Sequence, residues 1–169
     1  QYIDTGIRCS ESESFLDFSL TERNGNMFIM GRNLADHHML IAFNSSGNGF
    51  GYFGSGISNS FSYSTKLQLA TRYMLHVSAL SGDLSLDTKL NKAGAEYINW
   101  YSATAYNSYI GFTANGQNES ILLGGGYSSY NKMKGRIYGM QIYSNGHLER
   151  DYVPCTNSSN VAGFYDLVS

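Results

Sequence analysis

Apolar residues along this chain fall in short runs, and most of those runs alternate with polar residues at a period of two. Phe15-Leu16-Asp17-Phe18-Ser19-Leu20 and Tyr73–Leu80 show the pattern. Alternation of this kind turns every second side chain toward a core and marks a half-buried strand. The rhythm predicts strands over Tyr2–Ile7, Phe15–Leu20, Met27–Gly31, Met39–Phe43, Phe50–Phe53, Phe61–Tyr63, Tyr73–Leu80 and Leu84–Leu90. Further strands are predicted over Tyr109–Ala114, Arg136–Tyr143, Leu148–Val153 and Phe164–Leu167. Only Lys89–Tyr97 could coil, and it lacks an apolar stripe. Gly, Asn and Ser clusters separate the runs, and Asn24-Gly25, Ser81-Gly82-Asp83, Asn115-Gly116 and Asn145-Gly146 tolerate the positive φ of tight turns. These strands are too many for a small barrel with short loops. Two stacked antiparallel sheets hold them better, so the expected fold is an all-β sandwich.

The clearest single element is a hairpin across GRIYGMQIYSNGHLERDYVPC, residues 135–155. Asn145-Gly146 supplies a two-residue turn. Tyr138, Met140 and Ile142 are expected on one face, with Gly139, Gln141 and Tyr143 on the other. Ile137 is out of step, which predicts a bulge near Gly139. After the turn, Leu148, Arg150 and Tyr152 alternate with Glu149 and Asp151, and Pro154 is expected to end the pairing because it has no N–H.

Composition narrows the function. The 169 residues suit one domain, residues 1–169, and the chain begins at Gln1 rather than Met, so it is expected to have been cut from a larger protein. Charged residues are sparse at 14 %, with Ser, Gly, Asn and Tyr supplying polarity. A net charge of −2 argues against nucleic acid, which needs a basic face. No Lys/Arg run exists to draw the chain to an anionic membrane, and no stretch of about 18 apolar residues exists to insert into one. Cys9 and Cys155 are too few for a disulfide scaffold or a CxxC metal site. A single bridge between them and two separate buried thiols are both left open.

The chain's ends carry a resemblance. KGRIYGMQIYSNGHLERDYVPC followed by VAGFYDLVS resembles the close of a concanavalin A-like, laminin-G-like jelly-roll domain, as found in surface proteins of gut bacteria and in phage tail proteins. The positions that fill the pattern are Gly135, Ile137, Tyr138, Ile142, Tyr143, Asn145, Gly146, Leu148, Arg150, Asp151, Tyr152, Pro154 and Cys155, then Gly163, Tyr165, Asp166, Leu167 and Val168. Tyr2–Ile7 is similar to the opening strand of these domains, which pairs near the C-terminal strands, and RYMLHVSALSGDLSLDTK is similar to their central strand pair. Between roughly residues 24–70 and 95–130 only the strand rhythm matches. The resemblance implies a two-sheet antiparallel jelly roll with one concave sheet. It implies calcium as the one ion to consider, with Asp36 and Asp83 as the loop aspartates. It also weakens the disulfide, because the Cys155 position is often Cys in this group without an obvious partner. Lectins, carbohydrate-binding modules, protein-binding modules and glycoside hydrolases all use this fold, so fold does not settle function.

Hydrolases of that superfamily carry Glu-x-Asp-x-x-Glu on one strand, which projects carboxylates from a single face. The nearest match is around Asp17, with no Glu two before it and Leu20 where the second Glu belongs. No Ser or Cys nucleophile motif is present. Of the four histidines, His76 reads as a structural strand residue, His147 as solvated, and the adjacent His37 and His38 as facing opposite ways. Catalytic residues are therefore not expected. A sugar-binding surface instead needs exposed rings beside amide, carboxylate or imidazole groups. Three stretches offer these: EYINWYSATAYNSY with Tyr97, Trp100, Tyr101 and Tyr106; GGGYSSYNK with Tyr127 and Tyr130; and GRNLADHH with Asn33 and His37. The carbohydrate-binding candidates are Trp100, Tyr101, Tyr106, Tyr127, Tyr130, Asn33 and His37. The expected function is a noncatalytic, lectin-like glycan-binding module attached to neighbouring domains of a secreted, cell-surface or virion-surface protein. The alternatives are a structural or adhesive tail or surface domain and an atypical glycoside hydrolase.

Overall fold

A computed structural model describes residues 3–8, 12–33, 38–54, 60–80, 85–92, 94–104, 120–123 and 131–168. These form fourteen strands and no helix. In chain order they are β1 (Ile3–Arg8), β2 (Ser12–Leu20), β3 (Met27–Asn33), β4 (His38–Phe43), β5 (Asn48–Gly54), β6 (Ser60–Lys66) and β7 (Arg72–Leu80). They continue as β8 (Ser85–Lys92), β9 (Ile98–Thr104), β10 (Ser120–Leu123), β11 (Asn131–Lys132), β12 (Gly135–Ser144), β13 (His147–Thr156) and β14 (Ala162–Asp166). Residues 89–92, where coiling was conceivable, extend β8.

The strands make two layers. The first sheet runs β1-β10-β3-β4-β5-β6, with β11 pairing parallel to β3, and the second runs β14-β13-β12-β2-β7-β8-β9. All the other pairings are antiparallel. The period-two reading of the sequence explains the arrangement. In β2, Leu16, Phe18 and Leu20 are fully buried, and in β7, Tyr73, Leu75 and Val77 are buried beside them. They meet Met27, Ile29, Met30, Ile41 and Phe43 of the first layer, and Leu67 just past β6, in one core, which Leu90, Met140 and Ile142 complete. Each such side chain, taken fully out of water, contributes roughly 1.5–3 kcal/mol of hydrophobic stabilisation. Tyr73 keeps a polar end inside this core, and its hydroxyl accepts the Gln68 N–H at 3.0 Å, fixing the turn between β6 and β7.

The β12–β13 hairpin forms around Asn145 (φ 49) and Gly146 (φ 77), the two left-handed residues of its turn. The bulge is present beside Gly139, as expected. Ile137 pairs with Phe18 and Gly139 with Asp17, so Tyr138 is the extra residue. Ile137 therefore packs on the core, while Tyr138 leaves the Met140–Ile142 face and is part-exposed on the other. Pro154 does not end its strand. β13 pairs with β12 as far as Tyr152 and with β14 as far as Thr156. Asp151 gives its N–H to Asp166 and its carbonyl to Leu167, both on the β14 side. Three residues on, alternation turns the Pro154 nitrogen to the other side, beyond the last β12 pair, where no donor is needed.

The chain's two ends do not share a sheet. β1 pairs with β10, not with the C-terminal strands. They meet instead between layers, where the Tyr152 hydroxyl donates to the Thr5 carbonyl at 3.2 Å. Cys155 is an exposed free thiol on β13 opposite Gly163, rather than a buried one, and Cys9 lies outside the described residues. The strand expected over Tyr109–Ala114 also lies outside them. β9, β10 and β11 are strands that the sequence rhythm did not single out.

Candidate functional site

The residues that alternate with the core positions of β2, β7 and β12 point away from the first layer. On β2 these are Glu13, Phe15, Asp17 and Ser19, and on β7 they are Arg72, Met74, His76 and Ser78. The register sets them in rows across the sheet. One row runs Asp151, Gln141, Phe15, His76, Lys89, and the next runs Gly139, Asp17, Met74, Asn91. Directly opposed side chains on one face lie within contact distance, and these rows are rich in rings and hydrogen-bonding groups.

Two interlocked clusters result. In the first, the His76 ring stacks on Phe15 with centroids 4.4 Å apart and planes 2° apart. Tyr143 meets Phe15 edge-on at 5.9 Å, and Tyr97 meets His76 edge-on at 6.1 Å. His76 Nε2 and Glu13 Oε1 share a hydrogen bond of 2.6 Å. His76 is thus a satisfied strand histidine, as its place in the sequence suggested, although it faces outward rather than into the core.

In the second, Arg72 donates from Nε to Asp17 Oδ1 at 2.8 Å and from a terminal nitrogen to Asp17 Oδ2 at 2.6 Å. This two-pronged geometry is the strongest a guanidinium makes with a carboxylate. The Arg72 guanidinium also lies 4.4 Å from the centre of the Tyr138 ring, and the Tyr138 hydroxyl is 3.1 Å from Ser19 Oγ. The bulge that turned Tyr138 outward is what brings its ring beside Arg72. The hydrogen bond to Asp17, then the charge of Asp17, push the Arg72 pKa further up.

A cavity of about 470 Å³ opens beside these clusters, and among the described residues it is lined by Asp17, Arg72, Tyr73, Met74, Asn91, Gly94 and Tyr97. Met74 lies between Asp17 and Asn91 in the cross-strand row. Beyond Asn91 the chain turns, with the Ala95 N–H donating to the Lys92 carbonyl at 3.0 Å and the Asn91 side-chain amide donating to the Ala95 carbonyl. That turn carries Tyr97 to the mouth of the cavity. Burial first, and then the charge of Asp17, push the Tyr97 phenol up, so it is a neutral hydroxyl at physiological pH. The site therefore joins an apolar floor and a ring to a carboxylate, a guanidinium and an amide, the groups that hold a polyhydroxylated ligand. Among the described residues no cluster of three or more His, Cys, Asp or Glu side chains is placed to hold a metal ion. Asp36 and Asp83 lie outside the described residues.

The candidates read from sequence are distributed as follows. Trp100 and Tyr101 are on β9, the last strand of this sheet, where Lys89 pairs with Asn99 and Thr88 with Tyr101, so Trp100 is the extra residue of a bulge. Asn33 ends β3 in the other layer, opposite His38. Tyr106, Tyr127, Tyr130 and His37 lie outside the described residues. Of the aromatic stretch that begins at Glu96, Tyr97 is the ring that lines the cavity among the described residues. As a functional residue Asp17 shows in the sequence only as part of an incomplete acid motif, and nothing local marks Arg72, Met74 or Asn91 as site residues. The polar half of the alternation in β2 and β7 was the available signal. It says which side chains share a face, but not which strands are neighbours.

No protein-family model and no curated protein matches the sequence. Solved structures do match the fold. A candidate carbohydrate-binding protein from Bacteroides ovatus ATCC 8483 aligns with a TM-score of 0.65 at 12 % identity, over 99 % of this chain and 53 % of its own. The enzymatically active domain of tailspike protein 2 from bacteriophage CBA120 aligns with a TM-score of 0.55 at 13 % identity, over 80 % of this chain and 22 % of its own. The full-length tailspike protein 2 of an Escherichia coli O157:H7 bacteriophage gives 0.58 at 11 % identity, over 85 % of this chain and 21 % of its own. This chain thus spans about half the length of the Bacteroides protein and about a fifth of the tailspikes. At these identities the likeness is one of fold.

Proposed function

We propose that this chain is a noncatalytic carbohydrate-binding module of the concanavalin A-like jelly-roll type, carried by a secreted or surface protein, and that it holds its glycan on the outer face of the second sheet. The observation that carries this reading is the cavity between Asp17, Arg72, Asn91 and Tyr97, with Met74 beneath and the His76–Phe15 stack alongside. The C–H face of a sugar rests against a ring while its hydroxyl rim meets fixed donors and acceptors. Trp100, three residues beyond Tyr97, is the second ring assigned to the ligand. The fold likeness to a candidate carbohydrate-binding protein supports the same reading.

The carboxylates support a noncatalytic role. Glu13 and Asp17 are the two acids of β2, and both lie on its outer face. Each is also held by a basic partner, Glu13 by His76 and Asp17 by Arg72. Turnover of an oligosaccharide that is lost on removal of one of these acids would favour the hydrolase alternative. The likeness to tailspike structures favours a second reading, a structural or adhesive part of a phage tail or cell surface. A trimer in solution would support that reading.

The test is a glycan array screened with the wild type, Tyr97→Ala and Trp100→Ala. Losing one well-packed ring from a binding site costs about 1–3 kcal/mol, or roughly 5- to 150-fold in affinity. Each variant is expected to lose retention on that scale while its melting temperature stays within about 2–4 °C of the wild type. Unchanged binding by both variants would show that the site lies elsewhere.

A further inference from the structure

We propose that the Asp17–Arg72 pair makes this cavity selective for uncharged sugars that present adjacent hydroxyls, and that it turns anionic sugars away. This deepens the glycan-binding reading and rests on it.

The inference comes from how the two side chains are spent. Arg72 gives two of its five N–H groups to Asp17 and lays its guanidinium beside the Tyr138 ring. It is held in one orientation while 56 % of its side chain remains exposed. The remaining donors are therefore aimed by the fold rather than free to follow a ligand. Asp17 is only 16 % exposed, and a carboxylate has about four acceptor positions, of which Arg72 occupies two. Asn91 spends one of its two amide N–H groups on the Ala95 carbonyl, which fixes the group and leaves its side-chain oxygen as an acceptor. Around an apolar floor the cavity thus sets the Arg72 donors beside two fixed acceptors, Asp17 and Asn91.

A hydroxyl donates and accepts at once, so two neighbouring hydroxyls can take a bond from Arg72 and give one each to Asp17 and Asn91. A carboxylate or sulfate on the ligand can only accept. It would find the Arg72 charge already balanced and the Asp17 carboxylate within the same small cavity. Like charges brought together in this way are a device for rejecting a partner. Arg72 is the one cation among the described residues that line the cavity, and Lys89, next to His76 in the cross-strand row, is not among them.

The experiment compares matched oligosaccharides of one linkage, a neutral hexose series and the corresponding hexuronic acid series, by affinity electrophoresis at fixed salt. The wild type is expected to retard on the neutral series at least about tenfold more strongly than on the acidic one. Asp17→Asn can keep one of the two hydrogen bonds from Arg72 but removes the carboxylate. It is expected to gain at least about tenfold for the acidic series, in a manner that added salt weakens. Wild-type preference for the acidic series, lost in Tyr97→Ala, would overturn the proposed selectivity and leave the glycan site standing. Absence of wild-type binding to both of these series and to every other glycan would overturn the glycan-binding reading itself. The wild-type comparison decides the question even where Asp17→Asn fails to fold.

Discussion

At the scale of single residues, the site is held by pairings rather than by isolated reactive groups. Asp17 fixes Arg72, Tyr138 backs it, Asn91 ties down the turn that presents Tyr97, and Glu13 orients His76. Prealigned groups lose less freedom when a ligand arrives, which favours binding. Tyr97 gives a prediction of its own. Its folded-state pKa is raised, first by burial and then by Asp17. The neutral phenol is therefore worth more folded than unfolded. That contribution is fully present below the ordinary tyrosine range and is lost as pH rises through the raised value. The difference between the tyrosinate absorbance titrations of the wild type and Tyr97→Phe is expected to isolate a component lying above the ordinary range near pH 10. A component at or below that range would contradict the placement of Tyr97.

At the scale of elements, the β12–β13 hairpin and its pairing with β2 organise the site. Gly135 opens β12 where β2 passes so close that an added Cβ would clash with the Ser19 backbone carbonyl. Gly135→Ala must push the two backbones apart and is expected to cost about 1–3 kcal/mol, seen as a lower urea midpoint with an unchanged slope. A neutral effect would mean that the two strands do not approach in this way. The hairpin was also the most legible part of the sequence, because Asn145-Gly146 and the alternation around it are local signals. The bulge near Gly139 was legible as well, from the misplaced Ile137, but not which residue it would turn outward. Met140 and Ile142 stayed in phase with the core while the single extra residue turned out to be Tyr138. β9 was missed because its rings and amides, Asn99-Trp100-Tyr101, lack a clean alternation. The cavity was illegible for a different reason. Asp17, Arg72 and Asn91 are brought together by the pairing of β2 with β7 and β7 with β8, and nothing local at any one of them names its neighbours.

At the scale of the molecule, the two layers divide the work. The first sheet supplies the opposite wall of the core through Met27, Ile29, Met30, Ile41 and Phe43. The second sheet offers its inner residues to that core and its outer residues to the solvent. This division lets the outer face carry charge and exposed rings without loss of the core, since period-two alternation separates the two sets. It also makes the central claim local: a ligand of the second sheet's outer face should leave the first sheet untouched. The most direct test is a map of backbone amide shifts on titration with a retained oligosaccharide. The largest changes are expected on Asp17, Arg72, Met74, Asn91 and Tyr97, with β3 and β4 unmoved. Changes centred on β3 and β4, or spread evenly over both layers, would contradict that claim.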